Sequence, residues 1–268
     1  EAEWGEGEFS VAVFHNLTFE EERDLLQEAA AWQMAKAKHG YHAITWPTLY
    51  GGLDLPIEYA RAFASLESGY ITPSRHETFS VTTRLIAPTV LHYGTDDQKN
   101  ELLSDLFSAK TFCCQLFSEP GTGSDLAGLG CKAVKDGDEW IINGQKVWSS
   151  GAQFSEWGEL IARTHFDQPK HKGMTAFMVP MDLPGIEVRQ IRQMSGGTSF
   201  NEVFFSDVRV PDRLRLGPEG EGWGVALTTL SFERDHSDSD GGGRAGGKWS
   251  QLLGTANSLD LLDDPQIR

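Results

Sequence analysis

The chain has 268 residues, a formal net charge of −16, 39% hydrophobic and 10% aromatic residues, enough apolar side chain to close one to three packed cores. That charge argues against sequence-independent binding to nucleic acid or anionic lipid, because both depend on Lys and Arg neutralising phosphate. No apolar run approaches the roughly 18 residues of a membrane span, and the acidic start Glu1-Ala-Glu-Trp-Gly-Glu6 lacks the basic and apolar regions of a signal peptide. A cytoplasmic protein without membrane insertion is expected.

Along the chain, Asn16-Leu-Thr18 spells a glycosylation acceptor, but Thr18-Phe-Glu-Glu21 is a capping box and Thr18 reads as a helix cap. The helix it opens carries Leu25, Leu26, Ala29, Ala30, Trp32 and Gln33 and closes at His39-Gly40. After the turn Thr45 to Gly52, helical spacing recurs at Ile57 to Ser68 and Ser80 to Tyr93. A second capping box, Thr95-Asp-Asp-Gln98, starts a helix to about Ala109. Residues 1–112 therefore read as an all-α domain. From Cys113 the texture changes to short β-rich runs at Cys131–Val134, Glu139–Ile142, Gly158–Thr164, Ala176–Val179, Ile186–Ile191 and Glu202–Phe205, the pattern of a small barrel or sandwich over residues 113–217. Asn143-Gly144, between Trp140-Ile141-Ile142 and Val147-Trp148, predicts a hairpin turn. After Gly220-Glu-Gly-Trp-Gly224 the helical pattern returns with Val225, Leu227, Leu230 and Phe232 ahead of Glu233-Arg234, and residues 218–268 read as the beginning of a second helical domain. Ser237 to Gly247 is glycine-rich connector, followed by helical spacing from Trp249 to Leu262. The fold class is thus α+β and multidomain.

Several motifs point away from common chemistries. Cys113, Cys114 and Cys131 fit reduced strand thiols, and no CxxC or HExxH spacing suggests a metal. Gly121-Thr-Gly123 lacks the third small residue of a dinucleotide fingerprint, since Leu126 stands there, and no βαβ unit surrounds it. Gly242 to Lys248 imitates a P-loop, with Trp249 where a magnesium-binding hydroxyl belongs. The chemistry is concentrated between Cys113 and Gly151. There Phe117-Ser-Glu-Pro-Gly-Thr-Gly-Ser-Asp125 is an apolar strand end running into a turn whose backbone N–H groups can face outward, which suits an anion or a polar ring edge. Trp148, followed by Ser149 and Ser150, offers an aromatic plate beside hydroxyl donors, as a planar heterocycle requires.

Five ordered segments carry a family resemblance: Ser118-Glu-Pro-Gly-Thr-Gly-Ser-Asp125, Asn143-Gly-Gln-Lys-Val-Trp148, Gly173-Met-Thr-Ala-Phe177, Phe204-Phe-Ser-Asp-Val-Arg-Val-Pro211 and Gly220-Glu-Gly-Trp-Gly224. From the Thr18 helix to Arg268 the chain resembles the acyl-CoA dehydrogenase family, in its bacterial FadE-like form. The resemblance implies an N-terminal helical domain, a middle β domain and the start of a C-terminal helical bundle that continues in the family for several more helices, so the chain reads as truncated. It implies FAD as cofactor, with Gln115, Leu116, Phe117, Ser118, Gly121, Gly123, Ser124, Trp148, Ser149 and Ser150 along its binding site. The Ser118 hydroxyl would bond the pyrimidine side of the flavin, Trp148 would lie against the ring and Ser150 would donate near N5. Family members often carry Thr at the last and first of these hydroxyl positions, so Ser keeps the donor.

For the acyl-CoA substrate the resemblance implies Ser124 near the CoA portion and the pair Glu233 and Arg234 at the catalytic centre, with Glu233 as the base at the α-carbon. Some family members place that base in a later segment instead. The implied partners are an electron-transferring flavoprotein and further subunits of a homotetramer or heterotetramer. Rival readings on the same fold are an acyl-CoA oxidase, a flavin monooxygenase, or a non-catalytic subunit of a hetero-oligomeric dehydrogenase.

Overall fold

The computed structural model describes residues 17–73, 76–194, 197–235 and 249–264. The acidic start, Asn16 and the glycine-rich stretch at Ser237–Gly247 lie outside the described residues. The first helix, α1 (Phe19–Ala37), begins at the expected box: Thr18 Oγ1 accepts from Glu21 N at 3.3 Å and Glu21 Oε2 accepts from Thr18 N at 2.8 Å. Its buried stripe is Leu26, Ala29, Ala30 and Gln33, whereas Trp32 faces outward and donates to Glu67. Helices α2 (Ile57–Glu67) and α5 (Asp96–Phe107) fall where the spacing puts them, and α5 has its own capping box on Thr95 and Gln98. The α5 helix stops two residues before the expected end, because Ala109 takes a left-handed φ of 55°.

Between them the chain forms one helical run with a defect. Helix α3 (Glu77–Ser80) passes through a π-helical stretch (Val81–Ile86) into α4 (Ala87–Tyr93), starting three residues earlier than the spacing suggested. Pro88 has no N–H for the preceding turn, and Thr82, Thr83 and Thr89 each donate to the carbonyl four residues back at 2.8–2.9 Å; both features widen a helix locally. Thr82 Oγ1 also accepts from Cys113 N at 2.8 Å, fastening the defect to the first strand.

Eight strands follow: β1 (Cys113–Leu116), β2 (Lys132–Asp136), β3 (Glu139–Ser150), β4 (Trp157–Arg163), β5 (Met174–Pro180), β6 (Ile186–Ile191), β7 (Phe200–Pro211) and β8 (Arg215–Leu216). They make one sheet in the order β6-β7-β3-β2-β4-β5-β8, with β1 joined to β4 in parallel. It is a single curled sheet rather than two stacked ones: Trp140 on β3 meets Phe177 on β5 edge-on at 5.5 Å, although two strands separate them in the order. The inner face gathers Cys114, Leu116, Ala133, Ile142, Leu160, Val179 and Val208 into one core.

The expected hairpin at Asn143-Gly144 is not there. The turn is at Gly137-Asp138, where Asp136 pairs with Glu139 and Gly137 has φ 62°, and β3 runs unbroken through Asn143-Gly144. The two residues do other work. Asn143 brackets a bulge in β7 by donating to Asp207 Oδ1 and accepting from Asp207 N, both at 2.9 Å, which holds Asp207 at φ 53°. Gly144 lies so close to Cys131 that an added Cβ would stand 2.7 Å from that residue's Cα.

Helix α6 (Gly222–Asp235) packs on the outer face of the sheet against the α3–α4 run, and α7 (Trp249–Ser258) follows. Under α6 lies Glu159 of β4, 0% exposed, accepting from Thr229 Oγ1 at 2.7 Å, while Thr229 pairs with Thr89 of α4 at 3.0 Å. Burial pushes the Glu159 carboxyl up to about 8, against the smaller downward pull of the Thr229 hydrogen bond. At pH below the ordinary value of 4.5, folded and unfolded chains both hold this proton. From there to about pH 8 only the folded chain does, so stability falls as pH rises through that window. Urea unfolding at pH 5 and pH 8 should show this decline in the wild type, and Glu159→Gln, which cannot ionise, should flatten it. An equal decline in both proteins would assign the dependence elsewhere.

Candidate active site

The glycine turn and the Trp148 strand are brought together by one buried cation. Lys146 of β3 is fully buried and donates to Phe117 O at 3.0 Å and to Glu119 Oε1 at 2.8 Å. Glu119 in turn accepts from the N–H groups of Gly130 and Cys131 at 2.7 and 2.9 Å, and Val147 N donates to Ser118 O at 2.9 Å. The segment Phe117–Glu119 is thereby stitched along β3 from Lys146 onward. Beyond it the chain turns tightly, with Glu119 and Thr122 exchanging both backbone hydrogen bonds, and an added Cβ at Gly121 or Gly123 would meet nothing within 4 Å. The bare backbone there faces open space. Ser124 is exposed on the same turn.

On the facing strand, Lys146 pairs with Val203 and Ser149 with Asn201, so Val147 and Trp148 together oppose one residue of β7. This bulge, with Trp148 at φ 61°, turns the indole out of the sheet: Trp148 is 57% exposed, held at its edge by Phe200 at 5.8 Å, while Val147 and Ser149 on either side are buried. Trp140, by contrast, is core: it is 1% exposed and its Nε1 donates to Asp212 at 2.7 Å. Three buried polar atoms in these segments have no protein partner: Gln115 Nε2, Thr122 Oγ1 and Ser149 Oγ. Leu116 and Phe117 place their side chains in the inner and outer cores, leaving only backbone for a ligand.

The third component is α6. Thr229 is buried against Glu159, and one turn further Glu233 and Arg234 are exposed. The structure thus unites the two β-domain motifs but records no hydrogen bond or ion pair from Glu233 to either, among the described residues. A cavity of about 300 Å³ lies elsewhere, between α1, α2 and the π-helical stretch, lined by Tyr41, Trp46, Phe63 and Arg84.

Comparison with known proteins decides the family. The acyl-CoA dehydrogenase N-terminal domain matches residues 13–110 and the acyl-CoA dehydrogenase middle domain matches residues 114–208. The chain belongs to the acyl-CoA dehydrogenase family. It is 37% identical over 247 residues to acyl-CoA dehydrogenase IpdE1 of Mycobacterium tuberculosis, covering 92% of this chain and 64% of that protein. It is 42% identical over 202 residues to acyl-CoA dehydrogenase FadE34 of the same organism, covering 75% of this chain and 28% of FadE34. Among solved structures, the Tcur3481-Tcur3483 steroid ACAD superposes with a TM-score of 0.71 at 28% identity, over 93% of this chain and 65% of that one. The chain therefore spans just under two thirds of the length of IpdE1 and of that solved relative.

Acyl-CoA dehydrogenases are FAD-dependent, and the residues present fit a flavin on three observations: a glycine turn with unobstructed backbone, an outward indole plate, and unpartnered buried donors on both sides. Sequence reasoning missed Lys146 and Glu119 as the link between the motifs, although both lay inside them; a Lys in a strand reads as solvated until its environment is known. Because Lys146 is fully buried while Glu119 keeps two backbone donors, loss of the carboxylate is the worse change. Glu119→Gln should cost about 3–5 kcal/mol by stranding a buried ammonium, and Lys146→Met should cost less. Chemical unfolding of the two variants tests the order; the reverse order would mean that Glu119 rather than Lys146 is the group that burial penalises.

Proposed function

We propose that this chain carries the cofactor cradle and part of the catalytic centre of an enzyme that dehydrogenates an acyl-CoA thioester to the 2-enoyl-CoA and hands the electrons to an electron-transferring flavoprotein. The observation that supports it most is the junction of the Ser118–Asp125 turn with Trp148–Ser150 across Lys146. Bound there, FAD supplies the acceptor for the hydride that leaves the β-carbon. The chain's own part is to bind and orient. Ser118 offers its hydroxyl to the pyrimidine edge, the backbone at Gly121 and Gly123 lies against the cofactor, Trp148 covers one ring face, Ser149 and Ser150 supply donors, and Ser124 meets the CoA portion of the substrate.

The α-proton of a thioester is weakly acidic, so its removal needs a carboxylate held near the α-carbon and shielded from water. Glu233 is assigned that role, with Arg234 orienting it. Glu233 is exposed here, so the proposal requires its cover to come from residues beyond those described or from another subunit. That requirement, together with the two-component name of the solved steroid ACAD, favours one alternative worth carrying: a subunit that contributes the cradle to a heterotetramer whose base lies on its partner. The steroid ACAD also places ring-bearing acyl-CoA thioesters beside straight-chain ones in any substrate screen.

Two outcomes are expected with the full-length protein. Trp148→Ala should release FAD far more readily than Trp140→Ala, read as retained flavin absorbance after gel filtration. Equal losses would mean that Trp148 has no role of its own in holding the flavin. Glu233→Gln should keep the flavin spectrum and acyl-CoA binding yet slow flavin bleaching on mixing with saturating acyl-CoA by about 10²- to 10⁴-fold. Bleaching at the wild-type rate in stopped flow would move the base elsewhere, to a later segment or to a partner subunit.

A further inference from the structure

The strongest unassigned feature is a buried carboxylate on α1. Glu22 sits in the second half of that helix's first turn, where the positive helix end favours an anion, yet it is 0% exposed and its carboxylate turns toward the β domain. Its Oε1 accepts from Ser199 Oγ at 2.5 Å, its Oε2 from Gln153 Nε2 at 3.4 Å, and His76 Nε2 lies 3.9 Å away. Each of those three partners leads to the end of β3. Ser199 O accepts from Gly151 N at 3.1 Å. Asn201, two residues along β7, donates to Ser149 O at 2.9 Å and also to Gln153 Oε1. His76 Nδ1 pairs with Thr78 Oγ1 at 3.1 Å, and Thr78 Oγ1 is packed so closely on Gly151 that a Cβ there would overlap it. Gly151 itself is at φ 64°, and Ser155 Oγ holds its carbonyl at 3.0 Å.

The result is a closed circuit from α1 through the start of α3, the Gly151 turn and the start of β7 back to α1, and Ser150 is the residue it encloses on both sides. A buried carboxylate is costly unless it is hydrogen-bonded, and Glu22 meets that demand through Ser199 and Gln153, so the circuit favours the one arrangement of these segments that keeps both bonds. We propose that Glu22 is a positioning residue for the flavin cradle: it registers α1 against Ser149–Gly151 and so fixes the Trp148 ring and the Ser150 hydroxyl in the placement the cofactor needs. This rests on the assignment of Trp148–Ser150 to the flavin. It adds that cofactor affinity and the docking of α1 are linked, and linkage is reciprocal: what loosens α1 weakens FAD, and FAD tightens α1.

The test uses the full-length protein. Glu22→Gln loses the charge that Ser199 and His76 face, and Ser199→Ala removes one donor with little change of volume. Both should weaken FAD, read by quenching of flavin fluorescence, by about 10-fold, the size expected for a hydrogen bond to a charged group, and should alter the visible circular dichroism of the bound flavin, which a general loss of stability would leave unchanged. In the wild type, adding FAD should slow hydrogen exchange at the amides of Glu22 to Leu26. If both variants bind FAD with wild-type affinity and spectrum while Trp148→Ala does not, the positioning role is overturned and the cradle stands. If Trp148→Ala also binds normally, the cradle assignment falls and the proposal with it. Should Glu22→Gln fail to fold, unchanged exchange of α1 on adding FAD to the wild type overturns the proposal alone.

Discussion

The ion pair between Lys146 and Glu119 is the constraint on which the site depends. A fully buried ammonium needs acceptors close at hand, and Lys146 finds two in Phe117 O and Glu119 Oε1. Those two acceptors belong to the strand end that becomes the glycine turn. Satisfying the cation therefore places the turn beside β3, and Glu119 extends the same tie to Gly130 and Cys131 at the entrance to β2. The pair does not specify a fold by itself. It decides which loop of the curled sheet faces the Trp148 bulge, and a cradle needs both walls.

The helical domain is attached to this scaffold by polar contacts made at a few defined points. Thr82, in the π-helical stretch, takes the N–H of Cys113, and Gln98 of α5 donates to Arg213 O and Arg215 O at 2.8 and 2.9 Å; within the helical domain, Gln33 of α1 donates in the same way to Phe107 O at the end of α5. Each is a buried side chain that answers a backbone group left over at the end of a helix or strand. Apolar packing supplies most of the burial, with α4, α5 and α6 closing over Cys113, Phe117, Ile161 and Met178. Because hydrophobic contact is non-directional, it is the polar pegs that fix register between the layers. Glu159, Thr229 and Thr89 continue that line beneath α6 toward Glu233, and Glu22 with Ser199 does the same on the opposite flank.

How much of this could be read in the residues follows from the range of the forces involved. Capping boxes at Thr18 and Thr95, the positions of α2, α5 and α6, and the β-rich texture from Cys113 are local: a side chain answering an N–H three residues away, or a period of apolar positions, is written in a short window. The two motifs of the candidate site were legible for the same reason, as runs of glycine, hydroxyl and indole. The Asn143-Gly144 turn was misread because the same dipeptide serves a hairpin or a bulge, and which one it serves depends on Asp207, more than sixty residues later in the chain. The exposure of Trp148 and the burial of Trp140 were equally closed to inspection, since a two-residue bulge against Glu202 reverses which side of the sheet an indole faces.

By itself, then, the sequence determined the main helices, the change to β structure at Cys113, the family and the chemical types gathered between Cys113 and Gly151. Only the tertiary structure decided that Lys146 is buried rather than solvated, that Glu22 reaches from α1 to Ser199, that the Glu159 carboxyl is buried under α6 with its pKa pushed up, and that Glu233 stands exposed. The physical reason is that the state of an ionisable side chain is set by desolvation and by partners distant in sequence, and neither quantity has a local signature along the chain.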